Sequence, residues 1–367
     1  MPVITKPTLV LDKERCLANI RRMSLKAEKH HLLFRPHFKT HQSRIIGRWF
    51  RDAGVTRITV SSVTMARYFA LDGWKDITIA FPVNLHELGM INELSQMATV
   101  NLLVSSGEKI ETIGKQLAQN TGIFVEIDTG YGRSGINASF TDIIRDVIRK
   151  IRNTPHLEFS GLLSHTGNTY SAGKREEVLT IHDQALRQLI NLRKELSDLA
   201  PEFIISIGDT PACCLSDNFS GIDEIRPGNF VFFDLMQVEI GSCTEEQVAV
   251  CAVCPVVARY PERNEAIIYG GAVHLSKEFI PREKGERNYG SVVQWKENGW
   301  SSINRQAYLS SLSQEHGKIT ADAETIKQLE PGMLVGIIPV HSCLTADLMK
   351  GYITTTGEEI DHMSRYY

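Results

Sequence analysis

Eight short apolar segments, each followed by a polar loop or a helical pattern, most constrain what this chain can fold into. These strand candidates are residues 32–39, 57–62, 76–81, 99–105, 122–128, 157–165, 203–209 and 222–228. Strands alternating with helices are typical of an α/β fold, either a (β/α)8 barrel or an open doubly wound sheet. Because there are eight strands, we expect a (β/α)8 TIM barrel.

The last third of the chain has a different pattern. After residue 236, strand-like segments are joined by Gly, Asn and Pro turns, with one short helical stretch, ADAETIKQLEPG. This pattern predicts a C-terminal mostly-β domain. We therefore predict a barrel domain at residues 9–235 and a β domain at residues 236–367 plus 1–8. The N-terminal VITKPTLVLD is itself strand-like, and the sequence does not decide which domain it joins.

The overall composition argues against several classes of protein. A formal net charge of −3 over 367 residues lacks the basic excess of a nucleic-acid-binding protein. The basic cluster RDVIRKIRN has the apolar spacing of a helix with one solvated face. No segment reaches the ~18 consecutive apolar residues of a membrane span, and no signal-peptide pattern is evident. Seven scattered cysteines indicate reduced thiols, so we expect a cytoplasmic protein.

Polar residues and glycines recur at the carboxyl ends of the predicted strands, where a barrel builds its active site. The first strand ends in FRPHFKTHQS, which places Lys39 between His37 and His41. A lysine here is either a strand-end residue with its amine in solvent or a nucleophile that forms a Schiff base. Later strand ends contribute Asp128 with GYGRSG, His165 with TGNTY, and the loops SIGDTP and RPGNF.

Three of these loops can bind phosphate groups in principle. GYGRSG spells G-x-G-x-x-G, the dinucleotide-binding pattern. However, the next helical pattern begins only near Phe140, and no acidic residue ends a strand ~20 residues later, as a Rossmann unit requires. SIGDTP and RPGNF follow the last two strands, where barrels commonly bind phosphate, although each alone is an ordinary turn.

A second kind of site is suggested by His341 and Cys343, which follow the apolar segment MLVGIIPV. If the strand continues through them, both side chains point to one face, and nitrogen and sulfur ligands suit Zn²⁺. A buried cysteine beside an unrelated histidine explains the same pattern. Cys251 and Cys254 lack a second ligand pair in the sequence, so we interpret them as strand packing.

Taken together, these motifs resemble a known family. The matching segments are RPHFKTH, EIDTGYGRSGI, GLLSHTGNTY, GDTPACC, EIRPGNFVFFD and PVHSCLTADL. They resemble the fold-type III pyridoxal-phosphate (PLP) enzymes, in the D-serine dehydratase and D-threonine aldolase-like branch, from about residue 7 to residue 350. The resemblance implies a barrel like the N-terminal domain of alanine racemase, a β domain that carries metal ligands, and a homodimer.

The resemblance also implies roles for individual residues. Lys39 would bind PLP covalently and remove the Cα proton of the substrate, and His165 and Tyr170 would complete the catalytic set. The implied cofactor-binding residues are Lys39, Arg133, Tyr170, Gly208, Asp209, Thr210, Gly228 and Asn229. His341 and Cys343 would bind a divalent metal, and the thiolate favours Zn²⁺ over harder ions.

The activity implied is that of a lyase acting on β-hydroxy D-amino acids. We expect a Zn-dependent D-serine dehydratase-like deaminase, which releases a keto acid and ammonia. A D-threonine aldolase-like C–C lyase, an amino-acid racemase, a non-catalytic PLP-binding protein and an NAD-dependent oxidoreductase stay open as alternatives. Val340 stands where the family commonly has an asparagine, and the tail after Leu348 lacks the usual closing residues, so the exact substrate is undetermined. The roles of His37, His41, His274 and Lys277 are also left open.

Overall fold

The computed structural model describes residues 3–364. Its contacts divide the chain into two compact units. Among the described residues, the barrel unit comprises 22–39 and 50–228, and the β unit comprises 3–21, 40–49 and 229–364. The domain boundaries predicted from the sequence stay a prediction.

The parallel sheet of the barrel unit has eight principal strands that follow one another in chain order, and the short strand Ile136–Asn137 pairs beside the fifth of them. The principal strands are Leu33–Phe34, Ile58–Val60, Asp76–Pro82, Thr99–Val104, Thr121–Asp128, Leu157–Ser164, Ile204–Ile207 and Glu224–Ile225. The last strand pairs with the first through Glu224 and Leu33. A parallel bridge between His37 and Thr59 then joins the end of the first strand to the second. All eight predicted strands are present and the sheet closes, which confirms the barrel.

Helices connect these strands, as the sequence pattern predicted. They are Val63–Ala70, Leu88–Ser95, Ile110–Gln116, Thr141–Asn153, Arg175–Glu195 and Thr210–Leu215, and 3-10 turns occur at Leu85–Glu87 and Gly167–Ser171. Helices Lys13–Lys29 and Arg44–Asp52 contain residues of both units. In Thr141–Asn153 the buried residues are Ile144, Val147, Ile148 and Ile151, so the basic residues of RDVIRKIRN lie on the solvated face. None of the helices within residues 3–364 is both long and apolar enough to cross a bilayer.

A buried ion network ties the first barrel strand to the third and the last. Arg35, directly after the first strand, donates from Nε to Glu224 Oε2 at 2.7 Å and from Nη1 to Asp76 Oδ1 at 2.5 Å. Arg35 is 3% exposed and Glu224 is fully buried. Charges removed from water in this way are tolerated only while each retains its partner.

We expect Arg35→Met to lower the free energy of unfolding by about 3–5 kcal/mol, because the buried Glu224 loses the cation that is hydrogen-bonded to it. Arg57→Met is the matched control, since Arg57 contacts the same Asp76 at 3.8 Å from a partly exposed position. This control is expected to cost about 1 kcal/mol or less. Urea unfolding of both variants measures the difference, and equal losses would contradict the role given to Arg35.

The β unit is built on a large, mostly antiparallel sheet, which confirms the predicted C-terminal β domain. In order across the sheet, its strands are Glu265–Tyr269, His316–Thr320, Tyr308–Leu312, Gly290–Lys296, Leu334–Pro339, Val250–Tyr260, Thr8–Leu11, Tyr352–Thr354 and Glu359–Ile360, with Gly299–Trp300 beside Gly290–Lys296. Ile280–Pro281 and Arg287–Asn288 form a separate pair. The helices are Leu235–Ile240, Ala272–Leu275, Ala323–Gln328 and Ser342–Met349, with 3-10 turns at Asn229–Val231, Glu245–Gln247, Pro261–Arg263 and Glu283–Gly285.

The N-terminal strand, which the sequence left undecided, belongs to this sheet. Thr8–Leu11 pairs antiparallel with residues 250–253 and parallel with Ile353 and Thr354. Leu9, Val10 and Leu11 are buried, so the first strand of the chain contributes to the core of the unit that is otherwise formed by its last third.

Candidate active site

The sequence predicted Lys39 as the last residue of the first barrel strand, but this strand ends at Phe34 and Lys39 lies in the turn that follows the His37 bridge. The preceding residue, Phe38, is fully buried, and its ring lies 4.9–5.1 Å from the rings of Phe50, Phe69 and Trp74. Because Phe38 is anchored in this aromatic cluster, the turn directs Lys39 outward, and its side chain is exposed. The backbone N–H of Lys39 donates to His37 Nδ1 at 3.3 Å, which holds the imidazole at the same strand end.

Three cations surround two neutral histidines in the barrel unit. Burial lowers the pKa of His165 to about 3, and the charges of Lys39, Arg133 and Arg226 act in the same direction. Burial also places the pKa of His37 well below its ordinary value, again with contributions from these three cations. Both histidines are therefore neutral near pH 7, and the cluster carries a net positive charge. A net positive charge here favours binding of an anionic ligand. The amine of Lys39 can then react with an electrophilic group on the same ligand.

His165 is fixed in one tautomer by its hydrogen bond. Its Nδ1 donates to the carbonyl of Gly208, at the end of the next barrel strand. The neutral ring therefore presents Nε2 as an acceptor. The ring of Tyr131 meets that of His165 edge-on, with centroids 5.9 Å apart. The centroid of the Tyr170 ring lies 6.3 Å from that of His165.

The GYGRSG loop is organised by one carboxylate oxygen. Asp128 Oδ1 accepts the backbone N–H groups of Gly130, Tyr131 and Gly132 at 2.9–3.0 Å. The Arg133 guanidinium lies over the Tyr131 ring, 5.4 Å from its centre. The loop leads into the short strand Ile136–Asn137, and the next helix begins only at Thr141, so its glycines do not open a helix. The dinucleotide interpretation therefore has no structural support here.

The SIGDTP loop is built around the buried Asp209. Its Oδ1 accepts from Ala212 N at 2.7 Å and from Thr169 Oγ1 at 2.9 Å, and its Oδ2 accepts from the Thr166 hydroxyl. The Asp209 carboxylate is thus engaged in capping the helix Thr210–Leu215. The backbone N–H of Thr210 donates to the Tyr170 hydroxyl at 3.1 Å, so Tyr170 lies at the start of the same helix.

The RPGNF loop begins with a buried arginine. Arg226 donates from Nε to Ser206 Oγ and from Nη2 to the Ser164 carbonyl, both at 2.7 Å. Burial lowers its pKa to about 10, so it stays charged at neutral pH. A Cβ added to Gly208 would lie 2.9 Å from Arg226 Cβ and from the Arg226 carbonyl oxygen. Only glycine therefore allows these two strand ends to approach so closely.

The structure corrects the geometry predicted for His341 and Cys343. The strand ends at Pro339, His341 is the N-cap residue, and Cys343 lies in the first turn of the helix Ser342–Met349. The two side chains do not share a strand face, but they are hydrogen-bonded to each other. Although burial lowers the pKa of His341, its bond to Cys343 and the charges of Cys343, Asp234 and Glu278 raise it to about 9. The imidazole and thiol therefore form a close pair of nitrogen and sulfur ligands.

Residues that the sequence analysis did not single out hold this pair in place. Asp234 Oδ2 accepts from Ser342 N at 2.9 Å and from Asn229 Nδ2 at 2.6 Å. The same Asn229 nitrogen donates to Ser342 Oγ at 3.0 Å and lies 3.6 Å from Cys343 Sγ. Thr40 Oγ1 is 3.2 Å from that sulfur. Asn229, expected at the phosphate, therefore uses its side-chain nitrogen to support the ligand pair.

A further buried carboxylate was also missed. Glu126 is 4% exposed, and its Oε1 accepts from Ser134 Oγ at 2.7 Å, which ties the GYGRSG loop to the preceding strand. Both residues lie in segments that carry the family resemblance, Glu126 at the start of EIDTGYGRSGI and Asp234 at the end of EIRPGNFVFFD, but neither was assigned a role. The available signal was local: Asp234 precedes the helix Leu235–Ile240 as its N-cap residue.

His274 and Lys277, whose roles the sequence left open, both belong to the β unit. His274 accepts the N–H of Gly271 at 3.3 Å, and its ring lies 3.8 Å from a Glu315 carboxylate oxygen. Lys277 is exposed. Within residues 3–364, no three or more histidine, cysteine or acidic side chains are arranged as a metal site, so His341 and Cys343 stand as a pair.

His41 gives a prediction for pH dependence. Burial lowers its pKa to about 3, against the opposing charge of Asp361, whereas an unfolded histidine titrates near 6.5. As the pH falls below 6.5 the unfolded chain gains a proton that the folded chain does not take up until near pH 3. The free energy of unfolding therefore decreases through this window and is unaffected above it.

Between pH 7 and pH 5 we expect this histidine alone to cost about 2 kcal/mol of stability. The measurement is urea unfolding of wild type and His41→Asn at both pH values, because asparagine offers an acceptor to Ser43 N but does not titrate. Wild type should lose about 2 kcal/mol more than the variant. Parallel losses in the two proteins would contradict a neutral buried His41.

Comparison with known proteins identifies the family. The family model "Alanine racemase, N-terminal domain" matches residues 11–235, and "Putative serine dehydratase domain" matches residues 249–355. The chain therefore belongs to the alanine racemase-like, fold-type III family of PLP enzymes. Its relatives in that family include both D-serine and hydroxyaspartate dehydratases and D-threonine and hydroxyaspartate aldolases, in agreement with the branch that the sequence motifs resemble.

Two curated relatives illustrate the similarity. The D-threo-3-hydroxyaspartate dehydratase of Delftia sp. (strain HT23) is 27% identical over 94% of this chain and 93% of its own. The D-serine dehydratase of Dictyostelium discoideum is 28% identical over 95% of this chain and 92% of its own. A cysteine-to-alanine variant of the hydroxyaspartate dehydratase, solved in its metal-free form, superposes with a TM-score of 0.91 at 24% identity, covering 98% of both chains.

Proposed function

We propose that this protein is a PLP- and zinc-dependent lyase that deaminates β-hydroxy D-amino acids such as D-serine to a keto acid and ammonia. The observation that carries the proposal is the arrangement at the strand ends of the barrel, where the exposed Lys39 follows His37, His165 binds the Gly208 carbonyl and the buried Arg226 binds the Ser164 carbonyl. The lysine amine in this arrangement can react with the aldehyde of a cofactor, and the positive charge beside it can bind the phosphate group of that cofactor.

The phosphate-binding loops fit this cofactor through their backbone. Because the two strand ends approach closely at Gly208, the loops that follow them lie side by side and can offer main-chain N–H groups to one phosphate. We propose that Gly208, Gly228 and Asn229 bind the phosphate in this way, and that Thr210 joins them by exchanging its N–H bond to the Tyr170 hydroxyl for one to the phosphate. Because the Asp209 carboxylate is already engaged by Thr166, Thr169 and Ala212, we assign Asp209 the task of holding the loop in shape.

The remaining side chains bind and orient the reactants. PLP, when bound, acts as an electron sink that makes the Cα proton of an amino acid acidic. Lys39 Nζ would accept this proton. Neutral His165 and Tyr170 would contact the cofactor ring, with Arg133 near it. Because the pKa of His165 is about 3, its ring stays neutral near pH 7, and its charge does not change with pH in that range.

His341 and Cys343 fit a soft divalent ion. Imidazole and thiolate together favour Zn²⁺ over Mg²⁺ or Ca²⁺. The solved relative with a cysteine-to-alanine change in a metal-free form supports a metal at this kind of site. We propose that His341 and Cys343 hold Zn²⁺, which supplies a Lewis acid for the β-hydroxyl leaving group.

We also propose a cytoplasmic homodimer. The seven cysteines, all within residues 3–364, form no disulfide, as expected in a reducing compartment. Size-exclusion chromatography with light scattering tests the assembly: a mass near twice the 41.2 kDa chain supports the dimer, and a monomer contradicts it.

A screen with identified products tests the reaction. Purified protein supplied with PLP and Zn²⁺ is incubated separately with D-serine, D-threo-3-hydroxyaspartate, D-threonine and L-serine. A keto acid and equimolar ammonia from the D-enantiomers, with none from L-serine, is the expected result. Glycine plus an aldehyde would show an aldolase instead. Inversion at Cα without loss of the hydroxyl would show a racemase, and either outcome would overturn the dehydratase assignment.

A further inference from the structure

The C-terminal tail binds the segment that directly follows Lys39. Both parts belong to the β unit, which contains residues 40–49 and 229–364. Asp361 Oδ1 accepts from Ser43 Oγ at 2.6 Å and from Ile45 N at 3.0 Å, and its Oδ2 accepts from Arg44 N at 2.9 Å. One carboxylate from the end of the chain therefore receives three hydrogen bonds from three consecutive residues.

These bonds cap a helix from a distance. The helix Arg44–Asp52 has no acidic residue in its own first turn. Its first N–H groups lack intrahelical acceptors, as in every helix, and a carboxylate at this end also complements the helix dipole. Asp361 supplies that carboxylate from 317 positions later in the chain.

Three other contacts fix the residues between Lys39 and this helix. Met363 N donates to the Gln42 carbonyl at 2.7 Å, the Tyr352 hydroxyl donates to the His41 carbonyl at 2.7 Å, and Gln42 Nε2 donates to Asp347 Oδ1 at 3.0 Å. We name Asp347, Tyr352, Asp361 and Met363 the C-terminal clamp.

The backbone of the clamped segment is strained at one residue. Gln42 has φ 45°, in the left-handed region that non-glycine residues seldom adopt. Its carbonyl and its side chain are both held by the clamp. Such a conformation persists when surrounding contacts over-determine it, and strained residues of this kind cluster near functional sites.

We propose that the C-terminal clamp positions Lys39 for its bond to PLP, with Asp361 as the principal positioning residue. This inference rests on the proposed function, because it takes Lys39 as the group that binds the cofactor. Lys39 is joined directly to Thr40, so fixing residues 41–45 restricts where the lysine amine can go. The serine dehydratase family model ends at residue 355, so Asp361 and Met363 lie beyond the region it matches.

The first part of the test needs no cofactor. Hydrogen exchange is measured by mass spectrometry on the full-length protein for wild type, Asp361→Ala and Glu359→Ala. Glu359 is the matched control, since it is an exposed acidic residue two positions away. We expect Asp361→Ala to speed amide exchange in residues 42–47 by at least about tenfold, with Glu359→Ala unchanged. Equal exchange in all three proteins would overturn the clamp.

The second part measures the positioning of Lys39. We expect Asp361→Ala to weaken PLP binding by about tenfold, to lower kcat for D-serine while KM stays similar, and to shift the pH at which the visible absorbance of bound cofactor changes. Asp361→Asn retains one acceptor oxygen and should give intermediate values, which also covers the case in which the alanine variant does not fold.

The outcomes separate the two proposals. Suppose that Asp361→Ala speeds amide exchange in residues 42–47 but binds PLP and titrates like wild type. The positioning role would then be overturned, because the clamp would be only structural. If wild type itself does not bind PLP through Lys39, the proposed function fails and the positioning role fails with it. The exchange result would still decide whether Asp361 holds the segment.

Discussion

Lys39→Ala is expected to lower kcat/KM for D-serine by at least about 10⁴-fold, the largest effect of any single change. The substitution removes both the amine that bonds the cofactor and the base that accepts the Cα proton. Because Lys39 is exposed at a strand end, truncating it leaves the buried Phe38 cluster intact, and the fold should be retained. Keto-acid formation at saturating PLP measures the loss, and circular dichroism checks the fold.

Lys29→Ala serves as the control for a general effect of losing a lysine. Lys29 ends the helix Lys13–Lys29, its side chain is 69% exposed, and it makes only a long ion pair with Asp217. Its activity should equal that of wild type. More than 1% residual activity in Lys39→Ala, with Lys29→Ala normal, would show that another group performs the central chemistry.

Cys343→Ala is expected to release the bound zinc and to reduce kcat by about 10²–10³-fold while PLP binding persists. The change removes the sulfur ligand of the pair and leaves the His341 imidazole alone. Metal analysis after dialysis measures the zinc content, and the absorbance of bound cofactor shows that PLP is retained. A chelator that inactivates wild type should have no further effect on the variant.

Cys214→Ala is the matched control, because it removes a partly exposed thiol in the barrel unit. It should keep its zinc and its activity. Cys343→Asp extends the test, since a carboxylate ligand should shift the preference toward harder ions such as Mn²⁺. Full zinc content and full activity in Cys343→Ala would remove this residue from the metal site.

The barrel could be predicted from the sequence because its signals are local. Each strand is a short apolar run closed by glycine or polar residues, and all eight runs correspond to strands of the closed sheet. Lys39 and His165 were placed at strand ends for the same reason. The N-terminal strand was recognised, but its domain could not be predicted, because Thr8–Leu11 pairs with partners more than 200 residues away and an isolated strand pattern does not specify its partner.

The metal pair and its supports show what local patterns cannot supply. The apolar run before His341 suggested a continuing strand, but the chain turns into a helix whose start is bound by the Asp234 carboxylate. Asn229 and Asp209 carry side chains that suit a phosphate loop by sequence, yet tertiary contacts engage both elsewhere. The hydrogen bonds of Asp361 to residues 43–45 join segments more than 300 positions apart, so no local pattern in the sequence predicts them.

The most direct test of the account is to trap the cofactor on the protein. Wild-type enzyme loaded with PLP is reduced with borohydride, which converts the imine to a stable amine, and the digested protein is mapped by mass spectrometry. The account predicts one pyridoxyl group per chain, on the peptide that contains Lys39. Labelling of a different lysine, or no label after reconstitution, would contradict it.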